Sequence, residues 1–128
     1  MINEQLDGQL RMATLDPLAG KQLQVRKRDG RIIEFDETRI YLALEAALKA
    51  DAGLEQDKPA PESMQADAQL LTHEVVERCL IRLSKNESLE IELIQDVVEE
   101  KLMSGGFHGA AKRYIVYREE RRKARAIR

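Results

Sequence analysis

The sequence predicts a mainly α-helical domain of the α+β class, in which a four-helix bundle is capped by a small β-hairpin or a three-stranded sheet. Four stretches carry apolar residues at helical spacing, and one short stretch alternates apolar and polar residues around an Asp-Gly turn. The composition is rich in Ala, Leu, Glu, Arg and Ile with only 4% aromatic residues, which favours helices. At 128 residues, about two thirds of the unfolded surface can be buried.

The chain divides into one domain with short extensions. Residues 1–20 are polar without a sustained hydrophobic period, and we expect a flexible leader there. The predicted domain spans residues 21–124. Residues 125–128 are interpreted as the C-terminal end, or as a linker to a catalytic domain that this sequence does not contain.

The hairpin is predicted for the stretch LQVRKRDGRIIEF. A two-residue loop would pair Val25 with Glu34 and leave neither face apolar. A three-residue loop that ends at Gly30, with this glycine in the left-handed conformation, pairs Val25 with Ile33 instead. We therefore predict the second register, which gives the hairpin one apolar face.

The first two helices follow from capping residues and helix breakers. Asp36 can cap the first helix, and Gly53 ends it. Residues 54–69 contain two prolines among acids and small residues, and predict a flexible connection. Thr72 is then the predicted cap of the second helix. The core-facing residues of these helices are predicted to be Ile40, Ala43, Leu44, Ala47, Leu48, Val75, Val76, Cys79, Leu80 and Leu83.

Two further helices complete the bundle. The third is predicted to begin near Glu90 and to end at the Gly105-Gly106 pair, and the fourth to begin near His108. Residues 86–89 are a candidate third strand beside the hairpin. The predicted inward residues are Ile91, Ile94, Val97, Val98, Leu102, Ala111, Tyr114 and Ile115, and core packing is also the preferred role of Tyr117.

Charge is segregated along the chain although the formal net charge is only −2. Residues 112–128 carry eight basic residues against two acids, whereas residues 86–100 carry six acids and no base. Four cations also crowd the hairpin, namely Arg26, Lys27, Arg28 and Arg31. This density predicts an anion site, although solvated hairpin tips commonly carry Lys and Arg as well.

The candidate catalytic and metal-binding residues of the sequence do not have the spacing that would bring them together in one site. Cys79 is the only cysteine, which excludes a disulfide within the chain and a Cys-based zinc site, and predicts a reducing compartment. His73 and Cys79 lie about 240° apart around one helix and cannot share a metal. The acids at 87–100 predict a solvated helix face. No apolar run approaches the ~20 residues of a membrane helix, and a cytoplasmic protein is expected.

Several motifs, in this order, resemble the ATP-cone family. They are VRKRDG, then Phe35, then Arg39-Ile40, then a helix opening at Leu71-Thr72, then LEIELIQDVVEEKL and AAKRYIVYREERR. This family is the small nucleotide-binding regulatory domain at the front of many ribonucleotide reductases, and also occurs in the repressor of their genes. The resemblance spans residues 23–122.

The resemblance implies that ATP and dATP bind as allosteric effectors, together with Mg²⁺. It implies nucleotide contacts from Val25, Lys27, Arg28, Arg39 and Ile40, adenine recognition near Thr72, and packing of Val75 and Val76 on the base or sugar. The position aligned with a lysine of the family falls near Glu120, so that Arg118 or Arg121 is expected to replace it at the distal phosphate.

The resemblance also implies a function without catalysis by this domain itself. ATP would keep a ribonucleoside-diphosphate reductase active and dATP would inhibit it, through altered association of catalytic and radical-generating subunits. One alternative is the cone of a transcriptional repressor, although that family places a four-cysteine zinc ribbon ahead of the cone. Another is a basic helical module that binds nucleic acid through residues 112–128 in a salt-dependent way.

Overall fold

The computed structural model describes residues 24–27, 29–84 and 89–127. This part of the chain is mainly helical, and none of its helices has an apolar stretch long enough to cross a membrane. Its elements are β1 (Gln24–Arg26), β2 (Ile32–Glu34), α1 (Glu37–Ala52), α2 (Glu62–Ser84), α3 (Ile91–Ser104) and α4 (His108–Ile127).

The hairpin has the predicted register. Val25 pairs with Ile33 in the antiparallel ladder, and the amide of Lys27 donates to the carbonyl of Arg31 at 2.8 Å. Gly30 has a φ of 91°, the left-handed conformation that the three-residue loop requires. Val25 is buried in the core and Ile33 packs against it, so the apolar face points inward. The loop residue Arg28 lies outside the described residues.

A single parallel bridge joins the hairpin to the start of α3. The amide of Arg26 donates to the carbonyl of Leu89 at 2.9 Å, and Arg26 and Glu90 form an isolated bridge. The described sheet has two strands. Of the predicted third strand, residues 86–88 lie outside the described residues.

Helix α1 begins and ends where the sequence predicts. The side chain of Asp36 accepts a hydrogen bond from the amide of Thr38 at 3.0 Å, which satisfies one of the free donors of the first turn. Gly53 ends the helix with a φ of 75°, a conformation that costs glycine little.

Helix α2 begins ten residues before the predicted cap, so the prediction of a connection up to residue 69 was wrong. The amide of Gln65 donates to the carbonyl of Pro61 at 2.9 Å, and a proline is well tolerated in the first turn because its missing amide has no partner there. Thr72 is not a cap. It is buried in the interior of α2, and its hydroxyl donates to the carbonyl of Ala68 at 2.7 Å.

The four described helices form a closed ring. Helix α1 packs on α2 and α4, and α3 packs on the same two helices. The centre contains most of the apolar positions predicted for the helices, with Leu44, Val75, Cys79, Val98 and Leu102 fully buried, whereas Val76 and Leu80 are only half-buried. Burial raises the pKa of Cys79 to about 11, so its thiol is protonated at neutral pH.

The connection between α1 and α2 is fastened to α1 by a buried lysine, rather than being flexible as predicted. The ammonium of Lys49 donates to the carbonyl of Gln56 at 2.9 Å and also to the carbonyl of Lys58. The side-chain amide of Gln56 returns a 3.0 Å hydrogen bond to the carbonyl of Ala46. Only 3% of Lys49 is exposed.

Helix α4 buries fewer residues than predicted. Ala111 and Tyr114 lie in the core as expected. Ile115 and Tyr117 are 45% and 52% exposed, so their predicted core positions were wrong. The buried face of α4 is therefore narrower than the apolar stripe predicted from the sequence.

Candidate functional site

Two clefts flank α1, one beside its first turns and one along most of its length. One of about 310 Å³ lies toward α2, and one of about 500 Å³ lies toward α4. The consecutive residues Thr38 and Arg39 line different clefts, and the next residue, Ile40, is buried in the core. A ligand that crosses the first turn of α1 can therefore reach polar groups on both sides.

The cleft toward α2 is lined by polar side chains. Tyr41 donates to a carboxylate oxygen of Glu45 at 3.2 Å, and partial burial together with Glu45 raises the pKa of Tyr41. The hydroxyl of Thr72 already donates within its own helix, but its oxygen can still accept a hydrogen bond. The lining residues are Glu37, Thr38, Tyr41, Gln69 and Thr72.

Sequence reasoning named only Thr72 among these cleft residues. It missed Gln69 because residues 54–69 were predicted to be a connection rather than helix. A helix start at Pro61 would have placed Gln69 and Thr72 three residues apart on one helix face. The prolines therefore contained the missing signal, since Pro marks helix starts as well as breaks.

The cationic side chains of the hairpin differ in how freely they can bind an anion. Arg31 is paired with Asp29, with 2.8 Å between Nε and Oδ2, and the Arg31 amide donates to the same carboxylate at 3.0 Å. That amide hydrogen bond, with the Arg31 guanidinium, lowers the pKa of Asp29. Lys27 is half-buried and makes no direct ion pair with the described acids, although its charge also lowers the pKa of Asp29. It is thus better placed than Arg31 to bind an anion.

Arg39 is exposed at the first turn of α1. Its Nε lies 3.8 Å from Oδ2 of Asp36, and 79% of its side chain is accessible. An exposed pair at this distance contributes little stability. Its guanidinium is therefore free to turn toward a phosphate.

The apolar residues predicted to contact the nucleotide mostly lie beneath the surface. Val25, Ile40 and Val75 are buried in the core, whereas Val76 is half-buried. The buried three hold the hairpin, α1 and α2 in one continuous core. Val76 is the one of these four with substantial accessible surface.

Arg118 is held by the acidic side of α3. Its guanidinium donates to Gln95 Oε1 at 2.9 Å, to Glu99 Oε1 at 2.7 Å and to the carbonyl of Glu92 at 3.2 Å. Asp96 Oδ1 lies 2.9 Å from the same guanidinium. The acids of α3 were predicted to form a solvated helix face. This prediction was partly wrong, because part of the face binds Arg118 of α4.

Of the two arginines predicted to bind the distal phosphate, Arg121 is the more accessible. It is exposed, and its guanidinium carbon lies 5.8 Å from the ring centre of Tyr117, which is a cation–π distance. A phosphate could pair with Arg121 directly. At Arg118 it would first have to displace Asp96 and Glu99.

Comparison with known proteins gives a consistent answer. The profile of the ATP cone domain matches residues 23–123. The chain is 36% identical over 105 residues to a ribonucleoside-diphosphate reductase subunit alpha of Chlamydia pneumoniae, a match that covers 82% of this chain and 10% of the relative. It is 35% identical over 107 residues to the vitamin B12-dependent ribonucleoside-diphosphate reductase of Thermoplasma acidophilum, covering 80% and 12%.

These relatives are much longer proteins, and the chain spans about a tenth of their length. The matched segment contains the hairpin, all four described helices except the last residues of α4, and both clefts beside α1. On the family profile and the helical architecture together, the chain belongs to the ATP cone domain family.

Proposed function

We propose that this chain is a regulatory domain that binds ATP and dATP across the first turn of α1. The observation that carries the proposal is the position of Arg39 in the first turn of α1, between Thr38, which lines the polar cleft, and the buried Ile40, in a chain of the ATP cone domain family. A nucleotide has the matching character, with a polar base and sugar at one end and a polyanion at the other.

In this arrangement the base and sugar occupy the cleft toward α2. The phosphates extend across α1 toward Arg39 and Lys27, with Arg28 and Arg121 as further cations. Side chains at different positions can hold separate phosphates, and arginine can do so in bidentate fashion. Mg²⁺ accompanies the triphosphate as its counterion.

ATP and dATP differ by one sugar hydroxyl. A domain that distinguishes them must therefore contact the 2′ position of the sugar. Gln69 offers both a donor and an acceptor in the cleft, and Thr72 offers a buried acceptor. A site built to hydrogen-bond a hydroxyl discriminates against a ligand that lacks it, because the protein group is left unpaired. These two residues are the proposed sensors.

We further propose that the parent protein is a ribonucleoside-diphosphate reductase, as the names of the relatives suggest. ATP would favour an active state, and dATP an inhibited one with altered association of catalytic and radical-generating subunits. Each nucleotide can shift this balance only by binding the two states with different affinity.

The phosphate contacts are tested by calorimetry with ATP and dATP on the whole 128-residue chain. We expect both nucleotides to bind, and the double substitution Lys27→Ala, Arg39→Ala to weaken both by about tenfold or more, because two charge-assisted contacts are lost. The matched control is Lys58→Ala, an exposed lysine paired with Glu55 outside the site. Unchanged affinity in the double variant would show that Lys27 and Arg39 do not contact the nucleotide.

The cleft toward α2 is tested in the same titration. Gln69→Ala should weaken ATP about fivefold and change the ratio of ATP to dATP affinity, since it removes a hydrogen-bonding group from the sugar pocket. Leu70→Ala alters the next residue of α2, which is 59% exposed and does not line the cleft, and should have no effect. Equal behaviour of the two variants would contradict this placement of the nucleotide.

A further inference from the structure

The cleft toward α2 offers a ligand more hydrogen-bond acceptors than donors. The carboxylate of Glu37 lines it and, when ionised, can only accept. The hydroxyl hydrogen of Thr72 is used within α2, which leaves its oxygen as an acceptor. Of the described lining residues, Thr38 and Gln69 keep a side-chain donor for a ligand. The cleft therefore favours a ligand that brings donors of its own.

The hydroxyl of Tyr41 is oriented by a carboxylate outside the lining. Tyr41 lines the cleft, and its hydroxyl donates to Oε2 of Glu45, one helical turn further along α1, at 3.2 Å. Both residues are half-buried, and Glu45 is not among the described lining residues. A tyrosine hydroxyl has a single hydrogen. Because that hydrogen is directed at Glu45, the oxygen of Tyr41 can only accept from a ligand in the cleft.

We infer that the Tyr41–Glu45 pair selects the base of the nucleotide, with the Tyr41 oxygen accepting a hydrogen bond from a purine 6-amino group. Adenine offers a donor at this position, whereas a 6-oxo purine offers an acceptor. Two acceptors would then face each other with no hydrogen between them, and both would lose a partner in water. The inference rests on the proposed function and adds the base selectivity of the same cleft.

The order of the side chains along α1 agrees with this inference. Arg39, proposed to hold a phosphate, lies in the first turn, and Glu45 lies about 9 Å further along the helix axis. Because Tyr41 donates to Glu45, its hydroxyl is directed away from the phosphate end of α1. The carboxylate of Glu37 also disfavours a phosphate inside the cleft. The cleft is therefore suited to the uncharged base.

The inference is tested first by calorimetry of the whole chain with ATP and with inosine triphosphate. Inosine triphosphate carries a 6-oxo group in place of the 6-amino group, with a proton on the neighbouring ring nitrogen. We expect ATP to bind at least about tenfold more tightly. Equal affinities would overturn the inference and leave the proposed function intact. Failure of both nucleotides to bind would overturn the proposed function, and the inference with it.

Two substitutions separate the roles of the pair. Tyr41→Phe removes the acceptor and should lower the ratio of ATP to inosine triphosphate affinity by about fivefold. Glu45→Ala frees the Tyr41 hydrogen to donate to a 6-oxo group, and should strengthen the binding of inosine triphosphate by about threefold or more. A gain of affinity cannot come from loss of structure. An unchanged ratio in either folded variant would overturn the inference.

The orienting role of Glu45 has a conservative variant and a matched control. Glu45→Gln keeps an oxygen that accepts from Tyr41 but loses the charge, and should restore most of the ATP preference that Glu45→Ala loses. Glu62→Ala removes an exposed carboxylate at the start of α2, outside both clefts, and should leave the ratio unchanged. Equal effects of Glu45→Ala and Glu62→Ala would show a general charge effect and overturn the inference. Circular dichroism checks folding, and the Glu45 variants decide the question if Tyr41→Phe does not fold.

Discussion

Replacing Arg118 with methionine is expected to lower the free energy of unfolding by about 2–3 kcal/mol. The substitution removes the donors that hold Gln95, Asp96 and Glu99 of α3 against α4, while the aliphatic part of the side chain is retained. Only 21% of the Arg118 side chain is exposed, so solvent replaces these contacts poorly. Thermal unfolding should show a melting temperature lower by about 8–12 °C.

Two comparisons make the Arg118 experiment specific. Arg122→Met on the same helix removes an exposed pair with Glu119 and should change stability by less than about 0.5 kcal/mol. Arg118→Lys keeps the charge but loses the planar fork, and should be intermediate. If Arg118→Met were as stable as the Arg122 variant, the guanidinium cluster would contribute no net stability.

The second large effect is expected at Lys49. Lys49→Met keeps the length of the side chain but leaves the carbonyls of Gln56 and Lys58 without their buried donor. An unsatisfied buried acceptor costs about 1–3 kcal/mol, and we expect a total loss of about 2–3 kcal/mol. Chemical denaturation measures this loss directly, as a lower midpoint with an unchanged slope.

The control for Lys49 lies in the connection that it holds. Lys58→Met changes an exposed lysine, 69% accessible, which pairs only with Glu55 among the described acids, and should change stability by less than about 0.5 kcal/mol. An unchanged denaturation midpoint in Lys49→Met would mean that a buried methionine compensates fully for the lost hydrogen bonds. The connection would then not depend on the ammonium group.

The elements with strong local signals could be predicted from the sequence. The Asp29-Gly30 turn and the alternation around it determined the hairpin register, and Asp36 and Gly53 determined both ends of α1. These features depend on neighbouring residues alone. For the same reason, the start of α4 near His108 was correctly predicted from the preceding glycines.

The features that depend on distant contacts could not be predicted in this way. The α2 residues before Thr72 are mostly small and polar, and their helix is stabilised by burial of Ala68 and Leu71 against the core. The partners of Arg118 lie 19–26 positions away on another helix. The proposed nucleotide ligands combine both situations, because Arg39 follows from a local motif, whereas Gln69 depends on where α2 begins and on how α2 packs beside α1.

The hydrogen bond from the Arg26 amide to the Leu89 carbonyl connects the hairpin directly to the residues that lead into α3. Leu89 stands two residues before α3, and α3 in turn carries the acceptors that bind Arg118. The hairpin, α3 and α4 are therefore joined by a continuous series of polar contacts, from the backbone of β1 through α3 to the Arg118 guanidinium.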